Sequence, residues 1–296
     1  MNPLEQPLRQ LFRQLNVAYG LLVHLEYQLK NYVDAMRNKF GGLPATATDV
    51  ALYTQLIVDD LTHPSGLFRC PSGGFETEGE EYLEITKRLV NRNAAWAVVQ
   101  GWERFESFLL DTVATFLVAH PEKIEWVVQR KFLENNPASN LDTFSDLRFF
   151  IKRMYKAEKV LVYLQKLAPD ICSGQRTNHR RLDLRCWYNI AAEVRHAVTH
   201  SDEVILFKTY NKMTPSGVEL LTRCFPGMLE PIGYRLSLPK STAQVALETF
   251  ASYGFLIFKA LSAKYGYEWD ILKGDFAKEE ARKTREAPNS VGRADG

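Results

Sequence analysis

From Leu4 the apolar positions run Leu8, Leu11, Leu15, Ala18, Leu22, Leu25, Leu29, Tyr32 and Met36. These alternating steps of four and three lay one narrow stripe along a long helix. Such a stripe needs a partner helix, in the same chain or in a second subunit. Gly20 interrupts it and the other faces also carry apolar residues, which favours the same chain. The Gly41-Gly42-Leu43-Pro44 cluster ends the helix, and Thr48-Asp49 offers caps for a shorter one through Leu61. The segment His63 to Gly79 has no period and is rich in Gly, Pro and Ser, which predicts a long surface loop.

A second long helix begins at Glu80 and is closed by Pro121. Its second half places Trp102, Phe105, Phe108, Leu109, Val113 and Phe116 or Leu117 at steps of three and four, the pattern of a core helix. Further helical periods run from Glu122 to Glu134, from Thr143 to Leu167 and from about Asp183 to Ser201. EVILFKTYNK, GVELLT and YRLSL are then short runs rich in Val, Leu, Ile and aromatic residues, predicting a two- or three-stranded element at about 203–238. Ser241-Thr242 caps a last helix, and the charged tail 271–296 is expected to be disordered. The expected fold is mainly α, a helical bundle with long N-terminal helices and a small β insertion before the last helix. Its expected regions are 1–78, a helical domain over 79–270, and the tail.

Composition narrows the function classes. A formal charge of +2 is too small to imply a nucleic-acid partner by bulk field, so such a partner would need a local basic patch. The N-terminus MNPLEQPLRQLFRQL lacks the apolar core of a signal peptide, and no uninterrupted apolar run reaches the roughly 18 residues of a membrane span. A cytoplasmic protein with no membrane contact is expected. Cys70, Cys172, Cys186 and Cys224 include no C-x-x-C pair, which favours reduced thiols over disulfides or a zinc knuckle. There is no G-x-S-x-G elbow, G-x-G-x-x-G turn or G-x-x-x-x-G-K-[ST] loop.

Candidate chemistry concentrates in AAEVRHAVTHSDEVI. Glu193, His196 and His200 are separated by three and four residues and share one helix face. Arg195 stands about 140° around the axis from His200 at about 100° per residue. Joint action of Arg195 and His200 therefore requires the helix to end near His200, the long side chain to bend round, or a second subunit to complete the site. Two imidazoles and a carboxylate on one face also form a possible metal-ligand set, although H-E-x-x-H is absent. A third reading is a helical dimer or adaptor in which these residues build a polar interface.

Arg195-His196-Ala-Val-Thr-His200 resembles the motif of the HEPN superfamily: Arg, then Asn, Asp or His, then three residues, then His. Glu193 is a frequent companion there. The resemblance covers roughly Glu80 to Tyr267 and implies a compact helical fold and a metal-independent endoribonuclease without cofactor. It also implies a homodimer whose Arg and His residues line a shared cleft, in a toxin–antitoxin, antiphage defence or stress system with a possible antitoxin or regulatory protein. Arg195 and His200 would be catalytic, with His196 and Glu193 supporting.

The chemistry suits these residue types. RNA carries its own nucleophile, the 2′-OH, so the protein need only take that proton, stabilise the phosphorane-like transition state and protonate the 5′-oxygen. Histidine, with an ordinary pKa near 6.5, moves protons near neutrality, and the arginine fork holds nonbridging oxygens. The products would be a 2′,3′-cyclic phosphate and a 5′-hydroxyl. Just upstream, GQRTNHRRLDLR supplies Arg176, His179, Arg180, Arg181 and Arg185, in a segment that Gly174 and Asn178 mark as a loop. This cluster is read either as an RNA-backbone contact or as a solvated loop.

Overall fold

The structure, a computed structural model, describes residues 2–40, 58–59, 68–69, 79–136, 141–155 and 157–270. The cap at Thr48-Asp49, most of the loop over 63–79 and the tail 271–296 lie outside the described residues. Among those described, ten α-helices run as α1 (Glu5–Phe40), α2 (Gly79–Ala119), α3 (Trp126–Asn135), α4 (Phe144–Met154), α5 (Ala157–Leu167), α6 (Asp170–Arg176), α7 (Leu184–His200), α8 (Phe207–Tyr210), α9 (Pro215–Cys224) and α10 (Lys240–Lys264). Five short strands accompany them: β1 (Val58–Asp59), β2 (Phe68–Arg69), β3 (Val204–Leu206), β4 (Gly227–Glu230) and β5 (Gly233–Leu236). The fold is mainly helical, with a small three-stranded antiparallel sheet before the last helix.

The chain forms two compact units. One comprises Met1–Asn16, Gln100–Ala192 and Leu247–Gly296. Its core gathers around Phe105 of α2, fully buried, whose ring lies 5.1 Å from Tyr253, 5.5 Å from Phe250 and 5.6 Å from Tyr188. The start of α1 joins this core, since a Cβ on Gly254 would meet Leu11 Cδ2 at 2.4 Å. Asn2 ties the chain start to the end of α10 through Ser262 Oγ at 2.8 Å. Gly174 lies inside α6 rather than in a loop, and its missing side chain admits Leu256, which an added Cβ would meet at 2.4 Å.

The other unit comprises Val17–Val99 and Glu193–Ala246. Here α1 meets α10 of the same chain: Tyr19 Oη donates to Gln244 Oε1 at 3.1 Å, and Lys240 pairs with Glu26. The stripe on α1 is buried from Leu4 to Leu22, so its partner is intramolecular over that length. The sheet has strand order β3-β5-β4, with Leu206 opposite Gly233 and Gly233 opposite Glu230.

Two expectations are corrected. GVELLT is not a strand: Thr214 accepts from Gly217 N at 3.1 Å, Pro215 follows at the first helical turn, and Gly217, Leu220 and Leu221 are buried at helical spacing in α9. The middle of the insertion instead supplies β4 from GMLE. The helix expected through Leu61 fails at Val58–Asp59, which pairs antiparallel with Phe68–Arg69, itself inside the expected loop. The period from Thr143 to Leu167 divides into α4 and α5 at Tyr155, α4 opening on a Thr143/Asp146 capping box. Among the described residues α10 is the one helix long and apolar enough to cross a membrane by composition, and most of that window is buried inside the protein.

Candidate functional site

Helix α7 begins where Asp183 Oδ1 accepts from Cys186 N at 2.9 Å. Trp187, Tyr188, Ile190, Ala191, Val194, Ala197 and Val198 bury one broad face. That burial fixes the rotation of the helix and turns His196 and His200 outward, where both are exposed, while Glu193 and Arg195 are half-buried. The imidazole rings of His196 and His200 lie 5.0 Å apart at 51°. Arg195 Nε is shielded from solvent, and the Arg195 carbonyl accepts from Thr199 Oγ1 at 2.8 Å.

The helix stops at His200, so Arg195 and His200 both lie within α7 and stay about 140° apart around its axis. Ala197 O accepts from both Ser201 N and Glu203 N at 3.0 Å, and the chain turns through Asp202 (φ 48°) and Glu203 (φ 65°). Two consecutive non-glycine residues in the left-handed region cost on the order of 1–2 kcal/mol each. The sheet holds this turn. Arg235 of β5 donates from Nη1 to Asp202 O at 2.9 Å, stands 3.6 Å from the Asp202 carboxylate, and donates from Nε to Glu230 Oε1 at 2.7 Å. Leu236 N donates to Glu203 O at 2.9 Å. Burial pushes the Glu203 carboxyl above its ordinary value; Arg92 and Arg235 oppose that shift and Asp202 adds to it.

This arrangement suits acid–base work on a phosphodiester. The two exposed imidazoles, 5.0 Å apart, are proton donors and acceptors, and Arg195 precedes His196 on the same helix. Among the described residues no group of three or more His, Cys, Asp or Glu side chains is placed to hold a metal ion.

The basic cluster belongs to the other compact unit. Arg176 ends α6, and Arg176, His179, Arg181 and Arg185 are all exposed. Arg180 turns inward, with Nη1 3.4 Å from Thr249 Oγ1 and Nη2 3.5 Å from a Glu248 carboxylate oxygen. Asn178 organises the segment: Nδ2 lies 3.2 Å from the carbonyls of Gly174 and Gln175 and 2.8 Å from that of Leu182, and Oδ1 accepts from Leu182 N at 3.3 Å. The loop is therefore stapled, and it presents four of its five basic groups outward.

Other polar residues have local partners. Trp102 stacks on Tyr188 at 6.0 Å, and His120 bonds Tyr267 Oη at 2.8 Å and stacks on Phe116. Sequence reasoning missed Asp202, Glu203 and Arg235. Asp-Glu after a helix carries no glycine signal for a left-handed turn, and an arginine in a strand run carries no pointer to a site elsewhere. No family model, curated protein or solved structure matches the chain. The site stands on its own geometry.

Proposed function

We propose that the chain is a metal-independent endoribonuclease of HEPN type, cleaving RNA by attack of the 2′-oxygen to leave a 2′,3′-cyclic phosphate and a 5′-hydroxyl. The observation that carries this reading is the exposed His196/His200 pair, rings 5.0 Å apart, one and five residues after Arg195 at the end of α7. His200 takes the 2′-hydroxyl proton. As the P–O5′ bond breaks, the leaving oxygen takes a proton, which the second imidazole, that of His196, supplies. Arg195 stabilises the negative charge gathering on the nonbridging oxygens, and Glu193 holds an imidazole or the guanidinium in orientation. Arg176, His179, Arg181 and Arg185 bind backbone phosphates, with Arg180 anchoring the loop.

The resemblance of the motif extends the proposal to a homodimer with a composite site, acting in the cytoplasm in a toxin–antitoxin, defence or stress system under a regulatory partner. The test is cleavage of total and transfer RNA in EDTA by the purified protein, beside Arg195→Ala and His200→Ala variants of verified fold. Cutting that persists in EDTA and is lost in both variants supports the reading. Activity restored only by zinc or manganese would move the site to metal chemistry. Absence of cutting under every condition would leave a non-catalytic interaction module.

A further inference from the structure

The segment that follows His200 is built in an unusual way. A helix that must end and turn sharply is ordinarily served by glycine, whose backbone enters the left-handed region without penalty. Here Asp202 and Glu203 occupy that region in succession, at φ 48° and 65°, and the conformation persists because neighbours hold it. Three ties converge on these two residues. Glu203 N reaches back to Ala197 O, Leu236 N reaches in to Glu203 O, and Arg235 grips the Asp202 carbonyl while its Nε is fixed by Glu230 on the adjacent strand. Two neighbouring residues of β5, one by side chain and one by backbone, thus clamp the chain within three residues of His200.

From this we infer that Arg235 and the left-handed Asp202–Glu203 turn form a positioning device for His200, the three-stranded sheet serving as its support. A glycine pair would reach the same turn without penalty but would leave the end of α7 free to fray. The clamped pair holds the last helical turn, and with it the spacing of the two imidazoles. Arg235 is thereby assigned a positioning role and not a catalytic one. It acts through the backbone that fixes His200, as a supporting shell does for a catalytic group.

This inference rests on the nuclease reading, and its test separates the two. Full-length Arg235→Ala, Arg235→Lys and Glu203→Gly variants are compared with wild type for kcat and KM on one RNA, for Tm, and for the histidine ring resonances by NMR. In Glu203→Gly the turn relaxes while its fold remains allowed, so Tm holds or rises while kcat falls about ten- to a hundredfold at nearly constant KM. The ring resonances of His196 and His200 move together with kcat. Arg235→Ala follows the same kinetic pattern, and Arg235→Lys, which can still reach the Asp202 carbonyl, recovers part of kcat. A merely structural role would lower kcat only in proportion to lost fold. Wild-type kcat and unmoved resonances in Glu203→Gly and Arg235→Ala, with wild type active, would overturn this inference alone. A wild-type protein that cuts no RNA would overturn the nuclease reading and this inference with it.

Discussion

Asn178→Ala removes the staple of the basic loop and leaves every charge in place. The amide nitrogen of Asn178 has two hydrogens for three nearby carbonyls, those of Leu182 at 2.8 Å and of Gly174 and Gln175 at 3.2 Å, so two bonds are made at a time. A third comes from Leu182 N to Oδ1 at 3.3 Å. A net value of about 1 kcal/mol for each gives a loss of about 2–3 kcal/mol, the long third bond contributing least. For a chain of this length that corresponds to a fall in Tm of about 3–5 °C. Denaturant unfolding and calorimetry read it directly, and Asn178→Asp should cost more, because a carboxylate would face the same three carbonyls. If Asn178→Ala stays within about 0.5 kcal/mol of wild type, the loop is held by something other than this side chain and the case for a pre-formed basic surface fails.

Phe105→Ala should cost about 3–5 kcal/mol, because the ring is fully buried among Phe108, Tyr188, Phe250 and Tyr253; a loss below about 1 kcal/mol in denaturant unfolding would mean that the site collapses around it. Glu203→Gln should be more stable than wild type at neutral pH. The folded protein holds the Glu203 proton more tightly than the unfolded chain, so wild type loses stability as pH rises from the ordinary value of 4.5 through the raised folded value, and the neutral amide escapes that loss. Tm measured across pH should show the two proteins converging below that window; a gap that widens in acid would contradict the assignment. Arg176→Ala combined with Arg185→Ala should weaken RNA binding and reduce the slope of log Kd against log salt by about 0.7 for each phosphate that is no longer neutralised; an unchanged slope would remove the loop from the interface.

The helical frame is readable in the sequence because its signal is periodic. The stripe Leu4 to Leu22 and the aromatic positions from Phe105 to Phe116 are buried as their spacing demands. The rotation of α7 follows in the same way from Ala191, Val194 and Val198, which is why His196 and His200 face outward. Short apolar runs are harder to arbitrate. GVELLT has strand composition, and the Thr214-Pro215 start that makes it a helix lies just before the run. Gly174 reads as a loop residue because a glycine that admits Leu256 between helices carries the same letter as one that breaks a helix. The support of the site is illegible for a different reason: Arg235 lies 35 residues after His200 in the chain and meets its turn only through the pairing of β3 with β5.

In the proposed reaction the end of α7 cleaves RNA through the substrate's own 2′-oxygen. The most direct measurement is cleavage in EDTA of a short RNA mapped to one cut site, beside the same oligonucleotide carrying a single 2′-deoxy residue at the cut, with products identified by mass. The expected result is a 2′,3′-cyclic phosphate and a 5′-hydroxyl from the RNA, no cut at the deoxy position, and no product from Arg195→Ala or His200→Ala. A 5′-phosphate product, or equal cutting of the deoxy-substituted strand, would contradict the claim.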